Sequence, residues 1–282
     1  MAKAERFLIL GASSFYGRNF AECVERHGDV SEIPPADWRL GDDLPNATAI
    51  VNFASRSAVA ESWLDPCGWL ATNTVLTTFL ITQMREQNVK RFVHVSTPES
   101  YGSTEGWVDE SYAAWQPSTP YAVSRAAADM MLLAYHRAYR FPAIITRTAN
   151  IYGPGQQDYR IIPKAFADIR SGKRLPLHGG GGSRRSFIHV KDACEGLYKV
   201  CKEGDAGQTY HISTERQVSI AELVGMIAKL CERRFEYCTE RVADRLGKDE
   251  AYLLNSAKLR RMGWRDTISL ETGLEEYRAW KP

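Results

Sequence analysis

Six cysteines, at 23, 67, 194, 201, 231 and 238, are spread along the 282 residues without a single Cys-x-x-Cys pair. That spacing excludes a zinc ribbon and a disulfide scaffold and fits a reducing compartment. No uninterrupted apolar run approaches the ~20 residues that cross a bilayer as a helix. The opening segment, Met1 to Arg6 followed by the short apolar Phe7 to Leu10, lacks the apolar stretch of a secretory leader, so a cytoplasmic protein with no membrane partner is expected. Excess charge is missing too. The formal net charge is +2, which by itself calls for no nucleic acid or other polyanion. Internal repeats are absent, and the only low-complexity tract is Gly179 to Gly182. What is present is an ordinary soluble composition, 44% hydrophobic and 25% charged, on a chain long enough for one large α/β domain or a domain with a smaller lobe.

The pattern along the chain alternates strand and helix. Arg6 to Leu10 is a short continuous apolar run, as in a parallel strand buried on both faces. It leads into the glycine-rich turn Gly11 to Gly17 and a helical pattern from Arg18 to about His27. A strand, such a turn and a helix form the setting in which a pyrophosphate sits on a helix N-terminus, although a plain βα turn reads the same. Gly11 permits the tight turn, Gly17 lets helix and strand approach, and Ser14, where a glycine would leave more room, is expected to crowd the phosphates. Further strands are expected at Val30 to Ile33, Trp38 to Leu40, Thr48 to Ser55, Arg91 to Ser96, Ala143 to Thr148, Phe187 to Val190 and Gln208 to Ile212. Helices are expected at Asn73 to Glu86, Pro120 to Arg140, Ile161 to Arg170, Ala193 to Cys201, Ile220 to Arg233 and Glu271 to Trp280. Right-handed crossovers turn the first part of that order into a doubly wound parallel sheet covered on both faces. The division drawn from it is a dinucleotide-binding domain from 1–150 and 187–212, and a substrate lobe from 151–186 and 213–282.

Several residues stand out chemically. Tyr121 and Arg125 lie one helical turn apart on one face. A fixed cation there favours phenolate, drawing the phenol down from about 10 toward a working pH at which it can take a proton from a sugar hydroxyl. The residue that would bind an adenosine ribose should close the second strand, but Pro34 falls there. Glu32 or Asp37 can substitute, and NAD and NADP are not separated. Asp42 can reach an adenine amine or simply be solvated. Ala54 and Ser55, small residues ending a strand, allow a cofactor to approach closely.

Seven stretches together carry a resemblance: Gly11 to Gly17, Ile50 to Ser55, Ser96 to Gly102, Tyr121 to Arg125, Arg147 to Pro154, Arg185 to Asp192 and Asp244 to Asp249. In this order, over nearly the whole chain, they are similar to an extended short-chain dehydrogenase/reductase of the nucleotide-sugar epimerase/dehydratase family. The resemblance implies a Rossmann-like fold, an NAD or NADP cofactor, a nucleotide-diphosphate sugar as substrate and a homodimer paired through the helix after Tyr121, with Ala126, Met130, Leu133, Ala134 and Arg137 on its surface. It implies transient oxidation at sugar C4, with Tyr121 as base, Thr97 on the C4 hydroxyl and Arg125 on the nicotinamide ribose. The cofactor would meet Gly11, Ser13, Ser14, Phe15, Tyr16, Gly17, Asp42, Ala54, Ser55, Tyr121 and Arg125. The substrate would meet Thr97, Asn150, Arg185 and Arg245; no metal is implied.

The family's dehydratases carry Thr-Asp-Glu where this chain has Thr97-Pro98-Glu99. Glu99 keeps the carboxylate that would take the C5 proton, and Pro98 lacks the acid. Arg125 stands where the family has lysine, and the shortened region after the first motif resembles compact keto-sugar reductases. A 4,6-dehydratase-like or epimerase activity leads; a 4-keto-sugar reductase consuming NADPH and a non-catalytic dinucleotide- or sugar-nucleotide-binding relative are the alternatives.

Overall fold

A computed structural model describes residues 4–32, 42, 47–244, 246–247 and 249–280. Six parallel strands form the main sheet in the spatial order Thr209–Ile212, Ala143–Thr148, Phe92–Ser96, Ala49–Asn52, Arg6–Leu10, Val30–Glu32. Register is set by apolar residues on both faces. Leu8 pairs with Ile50, Val51 with Val93 and His94 with Ile145. Because side chains alternate across a strand, Phe7, Ile9, Val51, Val93 and Ile144 enter one core layer. Leu8, Leu10, Ile50, Phe92 and Ile145 enter the other. The first layer is closed by helices Phe15–Arg26 and Val190–Glu203, the second by Leu76–Glu86 and Pro120–Tyr139. This is the expected doubly wound sheet.

The chain leaves strand Arg6–Leu10 toward Val30–Glu32 on one side and returns on the other at Ala49–Asn52. The order reverses there, which opens a crevice at the carboxyl ends of the strands. A second core, containing Ile162, Phe166, Leu177, Leu223, Ile227 and Leu274, lies under helices Ile161–Arg170, Ile220–Leu230 and Leu270–Ala279. Asp192 ties this second region to the first. Its carboxylate accepts from the Thr267 amide (3.0 Å) and hydroxyl (2.8 Å) and from the Ile268 amide (2.8 Å), just before the last helix.

Several boundaries differ from the sequence expectation. The first helix starts at Phe15, three residues before the expected Arg18, because Ser14 caps it. The helix expected from Asn73 begins earlier, with Pro66–Leu70 and a π-turn at Ala71–Val75 before the regular Leu76–Glu86. The helix expected from Ala193 starts at Val190, capped by His189. Gly179, Gly180 and Gly181 all take positive φ, forming a tight left-handed turn that suits glycine. The strand expected at Trp38 to Leu40, together with Pro34 and Asp37, lies outside the described residues.

Candidate active site

The crevice holds a cleft of about 240 Å³, lined from three strand ends by Ser14 to Tyr16, by Phe53, Ser55 and Ser57, and by Val95 to Glu99. Tyr121 and Arg125 line it from the long helix, Thr148 to Tyr152 from the strand after it, and Gln156, Gln157, Arg160 and Tyr252 from the second region.

The first wall is a turn built for close approach. Gly11 has φ +79°, and a Cβ on it would lie 2.8 Å from the backbone nitrogen of Ala54. The two backbones meet there, which accounts for a small residue at 54. Ser14 closes the turn on itself. Its hydroxyl folds back, donating to the Gly11 carbonyl at 2.8 Å and accepting from the Gly17 amide at 3.1 Å. Ser13 is exposed and Tyr16 spends its hydroxyl on the Ala193 carbonyl (2.9 Å), so only Ser14, Phe15 and Tyr16 of this group line the cleft. Asp42 is exposed, does not line it, and accepts from the Gln83 side chain through its carbonyl.

The second wall follows strand Phe92–Ser96. Thr97 caps the short 3-10 turn Pro98–Tyr101, its hydroxyl accepting from the Glu99 amide at 3.3 Å, and Pro98 takes the first position, where a missing N–H costs nothing. Thr119 caps helix Pro120–Tyr139 in the same way, at 3.1 Å from the Ala122 amide, which brings Tyr121 to the cleft one residue into the helix. The Thr97 hydroxyl offers the Tyr121 phenolate a hydrogen bond. Burial nevertheless pushes the Tyr121 phenol above its usual value, with Glu99 adding to the rise while Arg125, Thr97 and Arg160 pull it down. The sequence expectation of a lowered phenol is thus corrected: in a dry site, desolvation outweighs the cation.

Arg125 is 2% exposed. One terminal nitrogen donates to the Val95 carbonyl, while Nε and the other terminal nitrogen are buried without a partner. A buried guanidinium with open donors on a cleft is fitted to a polar ligand. Behind it lies a network that sequence reasoning missed. The Asp129 Oδ2 accepts from Arg147 Nη2 (2.7 Å) and Nε (3.3 Å) and from the Ser96 hydroxyl (2.8 Å), just before Thr97. Asp129 lies one further turn along from Arg125, but the spacing alone cannot tell a buried acid from a solvated one. His94 stands 3.9 Å from Asp129 Oδ1, yet burial, with Arg125 and Arg147 beside it, keeps the imidazole neutral.

Asn150, Gln156, Gln157, Arg160 and Tyr252 form the third wall. Burial holds the Tyr252 phenol up at about 12, opposed by Arg185 and assisted by Glu99. Arg185 itself does not line the cleft. Its guanidinium donates to the carbonyls of Arg184 (2.7 Å), Glu250 (3.0 Å) and Asp249 (2.7 Å) and stacks 4.1 Å from the Tyr252 ring. It acts as a scaffold for Tyr252. Arg160 and Tyr252, which sequence reasoning did not single out, occupy that wall instead; Arg160 follows Asn150 by ten residues and Tyr252 lies three residues beyond the stretch Asp244 to Asp249. Arg245 lies outside the described residues.

The model of the NAD dependent epimerase/dehydratase family matches residues 37–213. The chain belongs to that family. A dTDP-glucose 4,6-dehydratase of Streptomyces niveus is 35% identical, over 98% of this chain and 92% of its own length. A glycan biosynthesis protein of Haloferax volcanii, Agl12, is 33% identical over 85% of this chain and 77% of its own. Among solved structures, the dTDP-glucose 4,6-dehydratase DesIV of Streptomyces venezuelae, which has NAD bound, superposes with a TM-score of 0.89 at 30% identity and 97% coverage of both chains. An RMD protein of Pseudomonas aeruginosa complexed with NADPH shares the fold at 22% identity and a TM-score of 0.85 over 97% of this chain and 98% of that one. These relatives make the chain an enzyme of an NAD-dependent, Rossmann-like family.

Proposed function

We propose that this chain oxidises C4 of a nucleotide-diphosphate sugar with NAD and goes on to a dehydratase-type reaction. The observation that carries the reading is the convergence of Thr97, Glu99, Tyr121 and the incompletely paired Arg125 on one cleft beside the glycine turn. The cofactor would be held by the turn at Gly11 to Gly17, by Ser55 and by Arg125, whose open donors suit ribose hydroxyls. NAD, when bound, supplies a hydride acceptor that is regenerated in the cycle. Tyr121 takes the C4 hydroxyl proton, and Thr97 orients that hydroxyl. Oxidation at C4 makes the C5 proton acidic, and Glu99 is the carboxylate placed to remove it. Pro98 cannot protonate a departing C6 hydroxyl. Tyr252, on the third wall and held neutral near Glu99, is the proton donor in its place. Arg160 and Asn150 would grip the nucleotide end, the guanidinium pairing with phosphate oxygens.

Pro98 also favours a second reading, 4-epimerisation or 4-keto reduction, neither of which needs the missing acid. Solvent deuterium separates them. With Glu99→Gln, C4 oxidation is expected to persist while deuterium no longer enters C5. Incorporation equal to wild type removes Glu99 from the chemistry and leaves the second reading.

Among the described residues no helix is long and apolar enough to cross a membrane, and the six free cysteines suit a reducing cytoplasm. A homodimer also belongs to this reading. Phe79 (58% exposed) and Met130 (53%) lie on neighbouring helices with exposed Val75, Leu76 and Val123, whereas Ala126, expected at the surface, is buried. A monomer in light scattering at micromolar concentration would remove that part.

A further inference from the structure

The first helix has a second end, some 18 Å from the cleft at 1.5 Å per residue. Cys23 and His27, four residues apart on one helical face, meet Glu195 of the neighbouring helix Val190–Glu203 there. Cys23 Sγ lies 3.5 Å from Glu195 Oε1, and His27 Nε2 lies 2.7 Å from Oε2. Each carboxylate oxygen thus faces a different donor, and the three ligand atoms all lie within 4.8 Å of one another. Bonds of about 2.0–2.3 Å to a tetrahedral cation put ligand atoms roughly 3.3–3.7 Å apart. The sulfur and Oε1 already stand at that separation, and the nitrogen has to leave its 2.7 Å contact with Oε2 to share a cation with them.

Cys23 is buried, while His27 and Glu195 side chains are 40% and 37% exposed, which leaves an entry path and room for water as a fourth ligand. The His27 ring is held in plane by stacking on Tyr198 at 4.1 Å and 8°. The competitor is Arg26, 3.4 Å from Glu195 Oε1, but its side chain is 57% exposed and can turn into solvent. A sulfur, an imidazole nitrogen and a carboxylate oxygen suit a borderline-soft cation and not magnesium or calcium.

We propose that Cys23, His27 and Glu195 form a zinc site that clips the end of the cofactor-binding helix to helix Val190–Glu203. On binding, the thiol proton leaves to solvent as the sulfur–metal bond forms; no electrons are transferred. The test uses untagged, chelator-treated protein, Co²⁺ as the spectroscopic probe and Zn²⁺ as its competitor. One equivalent of Co²⁺ should give a sulfur-to-metal charge-transfer band that Zn²⁺ displaces. His27→Gln, an exposed change that leaves the core intact, should weaken binding at least tenfold. Cys23→Ala should abolish the band, and Cys67→Ala, at the exposed cysteine, should leave it unchanged. Absence of saturable one-equivalent binding, a spectrum without the thiolate band, or His27→Gln binding as tightly as wild type would each overturn the proposal. Should Cys23→Ala fail to fold, His27→Gln decides alone.

Discussion

Two arginines are among the largest fully buried side chains of the molecule, and they are treated in opposite ways. Arg147 has a full counter-charge. It binds the Asp129 carboxylate through two nitrogens and lies against the rings of Tyr101 and Trp115, 4.2 and 4.3 Å from their centroids. Arg125, facing the cleft, has one backbone carbonyl and two nitrogens without partners. Burying a guanidinium costs several kcal/mol unless hydrogen bonds and a counter-charge offset it. Arg147 receives both from the fold. Arg125 receives neither in full, so its position makes sense only with a ligand present. In the proposed reading one buried charge is scaffold and the other belongs to the site.

The largest effect should come from breaking the site side of this contrast. Tyr121→Phe removes the base and keeps the ring, so turnover should fall on the order of 10²- to 10⁴-fold. Stability should change little, and melting curves beside steady-state rates separate the two. Asp129→Asn tests the scaffold side. Leaving Arg147 without its counter-charge should cost about 3–5 kcal/mol of stability, read from the denaturant midpoint. If that variant were as stable as wild type, the core pair would carry no weight.

Acid comes next. Burial lowers His211 from 6.5 to about 3, and His94 is lowered well below 6.5. Both are neutral when folded, so their stability contribution is complete above pH 6.5. It is lost as pH falls from there toward 3, where the unfolded chain takes up protons that the folded one refuses. Urea midpoints should decline across that window. A flat profile would mean that these imidazoles are not held neutral. In the alkaline direction, the raised Tyr121 phenol makes the rate climb with pH, and removing the Arg125 charge should move that limb higher still.

Much of the frame was legible in the sequence because the central strands are buried on both faces. Runs such as Ala143 to Thr148 leave no other role for so many adjacent apolar and β-branched residues. Tyr121, Thr97 and Arg125 could be placed together since each sits at a strand end or in the first two turns of a helix. The rest required three dimensions. The three backbone carbonyls that meet the Arg185 guanidinium belong to segments that come together only in the fold. The Tyr121 phenol was expected to fall because the cation was visible in the sequence and the burial was not. That the Ser14 hydroxyl caps the first helix could not be told from its place in the turn.

The contrast between the two arginines rests most directly on Arg125→Met. Melting temperature and NAD affinity should be measured together, for wild type and variant, with and without the cofactor. Without NAD the variant should be at least as stable as wild type, since replacing an uncompensated buried charge by an apolar chain is neutral or stabilising. With NAD, wild type should gain stability while the variant gains far less and binds at least tenfold more weakly. A variant that loses several kcal/mol without ligand yet binds NAD like wild type would contradict the account and make Arg125 a second structural cation.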